Sequence, residues 1–213
     1  FKNENKKIIA VGDCTGDGVP GEFMSMIGQN LLNQIVIEKG LTDPGEILSQ
    51  LNNGVQDALK QKSAEGETMD GMDVALCTID TQKNEFEYAG AFRPLYFIKN
   101  GNLEKIEGSK FPIGGVQHEN ERVFGSCRRI ASKGDMVYMF SDGYADQFGG
   151  PKAKKFMTKR FQEMLTEIHR RPPLEQQQIL DEKITDWRNW PNPNGQKRNL
   201  EQVDDILVIG IRF

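Results

Sequence analysis

The sequence predicts an α+β protein in which helices flank sheets, and three observations lead there. Strand-like runs crowd the middle of the chain. Paired helical patterns stand on either side, and the regular strand–helix alternation of a doubly wound parallel sheet is missing. By length, and with no linker-like shift in composition, residues 1–213 read as a single domain.

The elements follow in order. "KKIIAVG" reads as a buried strand, because Ile8, Ile9, Ala10 and Val11 form an unbroken apolar run between polar flanks. Phe23, Ile27, Leu31 and Ile35 then recur at helical spacing, Met24, Leu32 and Val36 widen the stripe, and Gly40 ends it. Asp43 as N-cap, Pro44 at the first helical position and Glu46 three residues on start a second helix, with Ile47, Leu51, Val55 and Leu59 as its buried face. "MDVALCTID", "EFEYAGA", "PLYFIK" and "LEKIEG" read as a strand meander, in which Asn100-Gly101 marks a tight hairpin. "GDMVYMFSDG" is a further strand, helical stretches follow around 152–169 and 174–188, and "DDILVIGIRF" closes the chain as a strand. "WPNPNGQKRNLEQ" is too rich in Pro, Asn and Gly for regular structure and reads as a surface excursion. Met24, Met26 and Met72 are expected to fill the core.

Composition argues against several classes of function. With 27 Lys+Arg against 31 Asp+Glu, a formal charge of -4 offers no electrostatic attraction to nucleic acid or an anionic membrane. No apolar run approaches the roughly 20 residues of a bilayer helix, and no signal-peptide pattern opens the sequence. Cys14, Cys77 and Cys127 include no CxxC pair and cannot all pair within the chain, which suits a reducing, cytoplasmic setting.

Acids recur at the ends of apolar runs: Asp13 in "VGD", Asp142 in "FSDG", and Asp204 with Asp205 in "VDD". One such Asp commonly serves a turn or a helix cap. Several that converge repel and desolvate one another unless a cation or a shared proton compensates, so convergence implies metal. His118 and His169 are the only histidines, which leaves little for zinc; all-oxygen coordination favours Mg2+, Mn2+ or Ca2+. "DCTGDG" imitates the start of an EF-hand calcium loop, but Met24 stands where that loop needs a bidentate Glu, and a strand precedes it.

"GDCTGDGVPGEFMSMIG", "DGMDVALCTID", "FSDGYADQFGG" and "QVDDILVIGIRF", in that order, resemble the metal-dependent, type 2C (PPM) protein serine/threonine phosphatases, and most of all their bacterial SpoIIE/RsbU-like branch. The similarity runs from Lys7 to Phe213. It implies an αββα four-layer sandwich, two antiparallel sheets flanked by helix pairs. It implies two divalent cations, Mn2+ or Mg2+, bridged by Asp13, with the Cys14 backbone carbonyl on one and Asp142 and Asp204 completing the other. Asp13, Asp142 and Asp204 then act catalytically through metal-bound water, Asp205 and Asp17 support the ligands from behind, and Asp70 and Asp73 offer a third metal position. The implied substrate is phosphoserine or phosphothreonine on a bacterial signalling protein such as an anti-anti-sigma (STAS) domain. Neither nucleic acid nor a membrane is expected to contact this domain, and a homodimer is admissible. Cysteine-dependent phosphatase chemistry is disfavoured, because Pro20, Lys83 and Lys133 stand where an Arg should follow each cysteine by six.

Three departures accompany the resemblance. Asp17 replaces a usual His and Glu22 a usual small residue; both add negative charge near the expected metals, which makes Glu22 a candidate regulatory position. An upstream "GGD" strand is missing from the sequence, so the domain is expected to lack its N-terminal strand and any upstream sensor domain of a larger protein. The excursion at 190–199 directly precedes the last acids. Residues 19–60 are the expected regulatory element. The alternative to an enzyme is a catalytically weak PPM-fold module that works by protein interaction.

Overall fold

The computed structural model describes residues 5–16, 18–61, 70–115, 122–192 and 194–213. In chain order the elements are β1 (Lys6–Cys14), α1 (Val19–Asn33) continued by a π-helical turn (Gln34–Glu38), α2 (Pro44–Ala58), β2 (Gly71–Asp80), β3 (Glu85–Ala91), β4 (Leu95–Lys99) and β5 (Asn102–Ile106). Next come β6 (Ile113–Gly114), β7 (Cys127–Ile130), β8 (Met136–Phe140), α3 (Gly143–Asp146), β9 (Phe148–Gly149), β10 (Lys154–Lys155), α4 (Thr158–Ile168), α5 (Pro173–Arg188) and β11 (Val208–Arg212). The chain forms two compact units, Phe1–Leu95 with Lys105–Ser132, and Tyr96–Glu104 with Lys133–Phe213.

The first unit is built on an antiparallel sheet in the order β1-β2-β3-β7, with β6 also on β2. Its second helix begins as the sequence predicts: the Asp43 carboxylate accepts the Glu46 N–H at 2.8 Å and, at 3.1 Å, the Ser126 hydroxyl. Ile47, Leu48, Leu51 and Val55 of α2 are each 0% exposed, packed with Val74 and Leu76 of β2 and Ala89 of β3. Full burial of one such aliphatic side chain is worth about 1.5–3 kcal/mol, so α2 is the firmly seated helix. Strand β1 differs from its expected full burial: Ile8 and Val11 are buried, but Ala10 is exposed, because β1 lies at the sheet edge with β2 on one side only. Helix α1 keeps most of its expected stripe, with Ile27, Leu31 and Leu32 packed against the same core, but Phe23 and Met26 depart from it. Phe23 and Met26 are 57% and 60% exposed, whereas Met24, Gly28, Ile35 and Val36 turn inward, since Met72 packs against Gly28 and sets the buried stripe there. A cavity of about 330 Å³, lined by Ile8, Ala10, Leu32, Val36 and Val74 among others, opens beneath α1.

The second unit carries the antiparallel order β11-β8-β4-β5. The predicted meander is therefore divided, with β2 and β3 in one sheet and β4 and β5 in the other. Phe92 at φ 58° and Pro94, which has no N–H, end the pairing between them. The Asn100-Gly101 hairpin holds as expected, both residues having positive φ (52° and 83°) as a type I′ turn requires. Phe161, Met164, Leu165 and Ile168 form the buried face of α4 against Tyr96, Phe140 and Tyr144. Helix α4 starts at Thr158 rather than near 152, because β9 and β10 pair there and Ala153 and Met157 have positive φ. Likewise β11 starts only at Val208, which leaves Asp204 and Asp205 in a loop.

Asp43→Ala removes both acceptor contacts at the start of α2 and is expected to lower unfolding stability by about 1 kcal/mol, read from the urea midpoint of the full chain.

Candidate functional site

In the first unit, the β1–β2 register places Asp13 directly opposite Asp73. Like charges facing each other across a ladder destabilise it. The compensation is Arg93, whose Nη2 lies 2.7 Å from Asp13 Oδ2 and 3.3 Å from Asp73 Oδ2. Its side chain is 10% exposed, against 22% and 26% for the two acids, so solvent screens these contacts only in part.

A tight turn after β3 aims that arginine. The Arg93 N–H donates to the Ala91 carbonyl at 2.7 Å, and the Arg93 carbonyl accepts the Tyr88 hydroxyl. Ser109 braces the turn from the side: Phe92 N–H donates to its carbonyl at 2.9 Å, and its own N–H donates to Gly90 O at 2.7 Å. Only glycine fits at position 90, since a Cβ there would collide with the Tyr88 hydroxyl and the Arg93 carbonyl. Sequence reasoning missed Arg93. The one signal was an arginine wedged between Phe92 and Pro94, whose acidic partners become visible only once the strand register is known.

The turn after β1 is pinned by Thr15, whose hydroxyl donates to Gly71 O at 3.0 Å and accepts Gly71 N–H at 2.8 Å. Cys14 Sγ accepts the Ser25 hydroxyl at 3.3 Å, which ties this turn to α1. Glu22 is exposed in the first turn of α1. The Asp70 carbonyl accepts the Gln61 side-chain amide at 2.7 Å and Gly115 N–H at 3.2 Å. Asp17 and His118 lie outside the described residues.

In the second unit, Asp142 follows β8 and immediately precedes α3. Buried Ser141 clips the loop of Asp204 to this strand end. Its hydroxyl donates to Asp205 O at 2.7 Å and accepts Leu207 N–H at 2.9 Å, while its own N–H donates to Leu207 O at 3.0 Å. Asp204 thereby comes within hydrogen-bonding reach of Asp142. Desolvation is the largest cause pushing the Asp204 carboxyl above the usual carboxylate range; the Asp205 N–H pulls it back, and the Asp142 carboxylate pushes it up again. That is the signature of two acids sharing a place that suits a cation or a single proton.

The loop is fastened upstream as well. Gln147, 0% exposed, donates to Glu201 O at 2.9 Å, and Trp187 Nε1 donates to Gln147 O at 3.1 Å. The excursion at 190–199 is latched by Arg198, which donates to Gly150 O at 3.1 Å and Pro151 O at 3.0 Å. Asp146, four residues after Asp142, pairs with Lys155 at 2.9 Å and stays outside the acid pair.

Among the described residues no cluster of three or more His, Cys, Asp or Glu side chains takes metal-site geometry. The acids stand instead as an Asp13–Asp73 pair and an Asp142–Asp204 pair. Both pairs offer only carboxylate oxygens and both call for positive charge, a donor set that fits Mg2+ or Mn2+.

The family model for stage II sporulation protein E (SpoIIE) matches residues 3–213. No curated protein sequence matches the chain. Among solved structures, the SiaA-PP2C domain of Pseudomonas aeruginosa aligns with a TM-score of 0.83 at 25% identity, over 100% of this chain and 78% of that one. The PP2C phosphatase domain of SpoIIE from Bacillus subtilis, with a fragment of its regulatory domain, aligns at 0.68 and 22% identity over 98% of this chain and 54% of that one. The chain thus spans about half of that polypeptide. RsbX in complex with magnesium aligns at 0.59 and 12% identity, over 99% and 82%.

Ser141→Ala leaves the Asp205 carbonyl and the Leu207 N–H without their clip. The expected cost is about 1–3 kcal/mol of stability, read by urea unfolding of the full chain.

Proposed function

Because the chain belongs to the stage II sporulation protein E (SpoIIE) family and has the PP2C phosphatase fold, we propose that it is a phosphatase acting on phosphoserine or phosphothreonine in proteins, dependent on two divalent cations, Mn2+ or Mg2+. The observation that carries this reading is the charge arrangement: one acid pair already holds a cationic side chain, and the other pushes a carboxyl pKa upward.

Asp13, the Cys14 carbonyl, Asp142 and Asp204 are the proposed metal ligands, with Asp205 and Asp17 behind them. Asp70 and Asp73 are the proposed acids of a third position, Asp73 with Arg93 already beside it. When bound, the cations supply Lewis acidity, acidifying water and neutralising phosphoryl oxygens during in-line displacement. The chain's own part is positional. Ser141 holds the Asp204 loop against β8, Thr15 holds the turn of Cys14, and the β1–β2 ladder holds Asp13. The magnesium of the RsbX complex supports the choice of metal.

The proposed substrate is a small bacterial signalling protein of the anti-anti-sigma (STAS) kind, which rests on the resemblance to the SpoIIE/RsbU-like branch. Action in the cytoplasm, as part of a larger sensor protein and without nucleic acid or membrane contact, belongs to the same reading. No helix among the described residues is long and apolar enough to cross a membrane. A second reading, a catalytically weak regulatory module, is favoured by Glu22, an exposed carboxylate in the first turn of α1, close in sequence to Asp13.

Phosphate release from a phosphoserine-bearing STAS protein decides between them. Mn2+ is expected to switch on turnover, and Asp142→Asn to reduce it by about 100-fold or more. Binding of the phosphoprotein without turnover, unchanged by Asp142→Asn, identifies the module instead.

A further inference from the structure

We propose that Arg93 binds the phosphoryl group of the substrate, an inference that rests on the phosphatase reading and adds a substrate contact to it. The guanidinium is permanently charged, planar and forked, so it matches two oxygens of a phosphoryl group where a lysine offers a single point charge. It is also held in place. The Arg93 backbone is bonded at both its N–H and its carbonyl, Ser109 braces the turn, and the side chain is 10% exposed. A long side chain fixed in this way has already lost the freedom that an anion would otherwise have to freeze out on binding.

The turn is also strained, because Phe92 takes φ 58°, a left-handed conformation that a bulky side chain rarely adopts. Such strain persists only where the surroundings over-determine it, and here they deliver one guanidinium to the strand end of Asp13.

The charge count completes the argument. One guanidinium faces two carboxylates, Asp13 at 2.7 Å and Asp73 at 3.3 Å. A divalent cation on Asp13 satisfies that acid, so the arginine is no longer required as its counter-charge. With the third position empty, Asp73 keeps the guanidinium aimed at the same place, where its positive charge adds to that of the cations in drawing a phosphoryl dianion. A purely structural arginine would serve only to separate Asp13 from Asp73, and lysine would do that nearly as well.

The test uses the full chain with Arg93→Lys and Arg93→Gln. Mn2+ is titrated calorimetrically, then inorganic phosphate is titrated into the Mn2+-saturated protein. Both variants are expected to bind phosphate about tenfold to a hundredfold more weakly, with Mn2+ affinity unchanged or tighter. Phosphate affinity within about twofold of wild type in Arg93→Gln, or wild type that binds no phosphate, overturns the assignment. Should wild type bind phosphate through Arg93 yet release none from a phosphoprotein, the assignment stands and the phosphatase reading falls. A second measurement needs no variant: with Mg2+ bound, the Arg93 Nε–H resonance of the wild-type chain is expected to shift on adding phosphate, and an unmoved resonance counts against the proposal.

Discussion

Two carboxylates face each other across the β1–β2 ladder, and one guanidinium makes that tolerable. The arrangement begins with register. Ile8 pairs with Thr78, Val11 with Ala75 and Asp13 with Asp73; Ile8 and Val11 stand on opposite faces of β1 and both are buried, so a slip of one residue would exchange the side chains that each face has to accommodate. Burial of Ile8 and Val11 therefore fixes the strand, and the strand then forces the acids together. Arg93 is the consequence, and the turn that presents it accepts a left-handed Phe92 to reach them.

The second unit solves a similar problem by another route. There a neutral buried hydroxyl, Ser141, fastens the loop of Asp204 to the end of β8, beside Asp142. Beneath it the strand end rests on an aromatic core, with Tyr96 and Phe140 rings 4.4 Å apart and Tyr144 stacked on Phe161 at 4.8 Å. Hydrogen bonds and packing hold the acids where their own charges oppose it, which is the condition in which added cations are most strongly favoured.

The segment expected to regulate, residues 19–60, is not uniform. Helix α2 is packed as tightly as any part of the core. Helix α1 overlies a cavity, ends in a π-helical turn, and leaves Phe23, Met26 and Ile37 exposed. A π-helical turn is a costly interruption that tends to mark functional segments, and α1 also carries Glu22. The contrast in burial makes α1 the part of this segment with least to lose by moving.

By itself the sequence determined what short-range chemistry decides. The Asp43–Pro44–Glu46 helix start, the Asn100-Gly101 hairpin and the acids at the ends of apolar runs were legible because each depends on neighbours within a few residues. The four ordered motifs likewise carried the family. Tertiary structure alone decided the exposure of Phe23 and Met26 on α1, the division of the meander between two sheets and the pairing of Arg93 with Asp13 and Asp73. Each of these turns on which distant element lies opposite: Met72 against Gly28, Ser109 beside Ala91, position 73 across from position 13. A periodicity states that one face is buried, and an arginine that it seeks an acid, but the partner is chosen by strand register, through contacts some 60 to 80 residues apart along the chain.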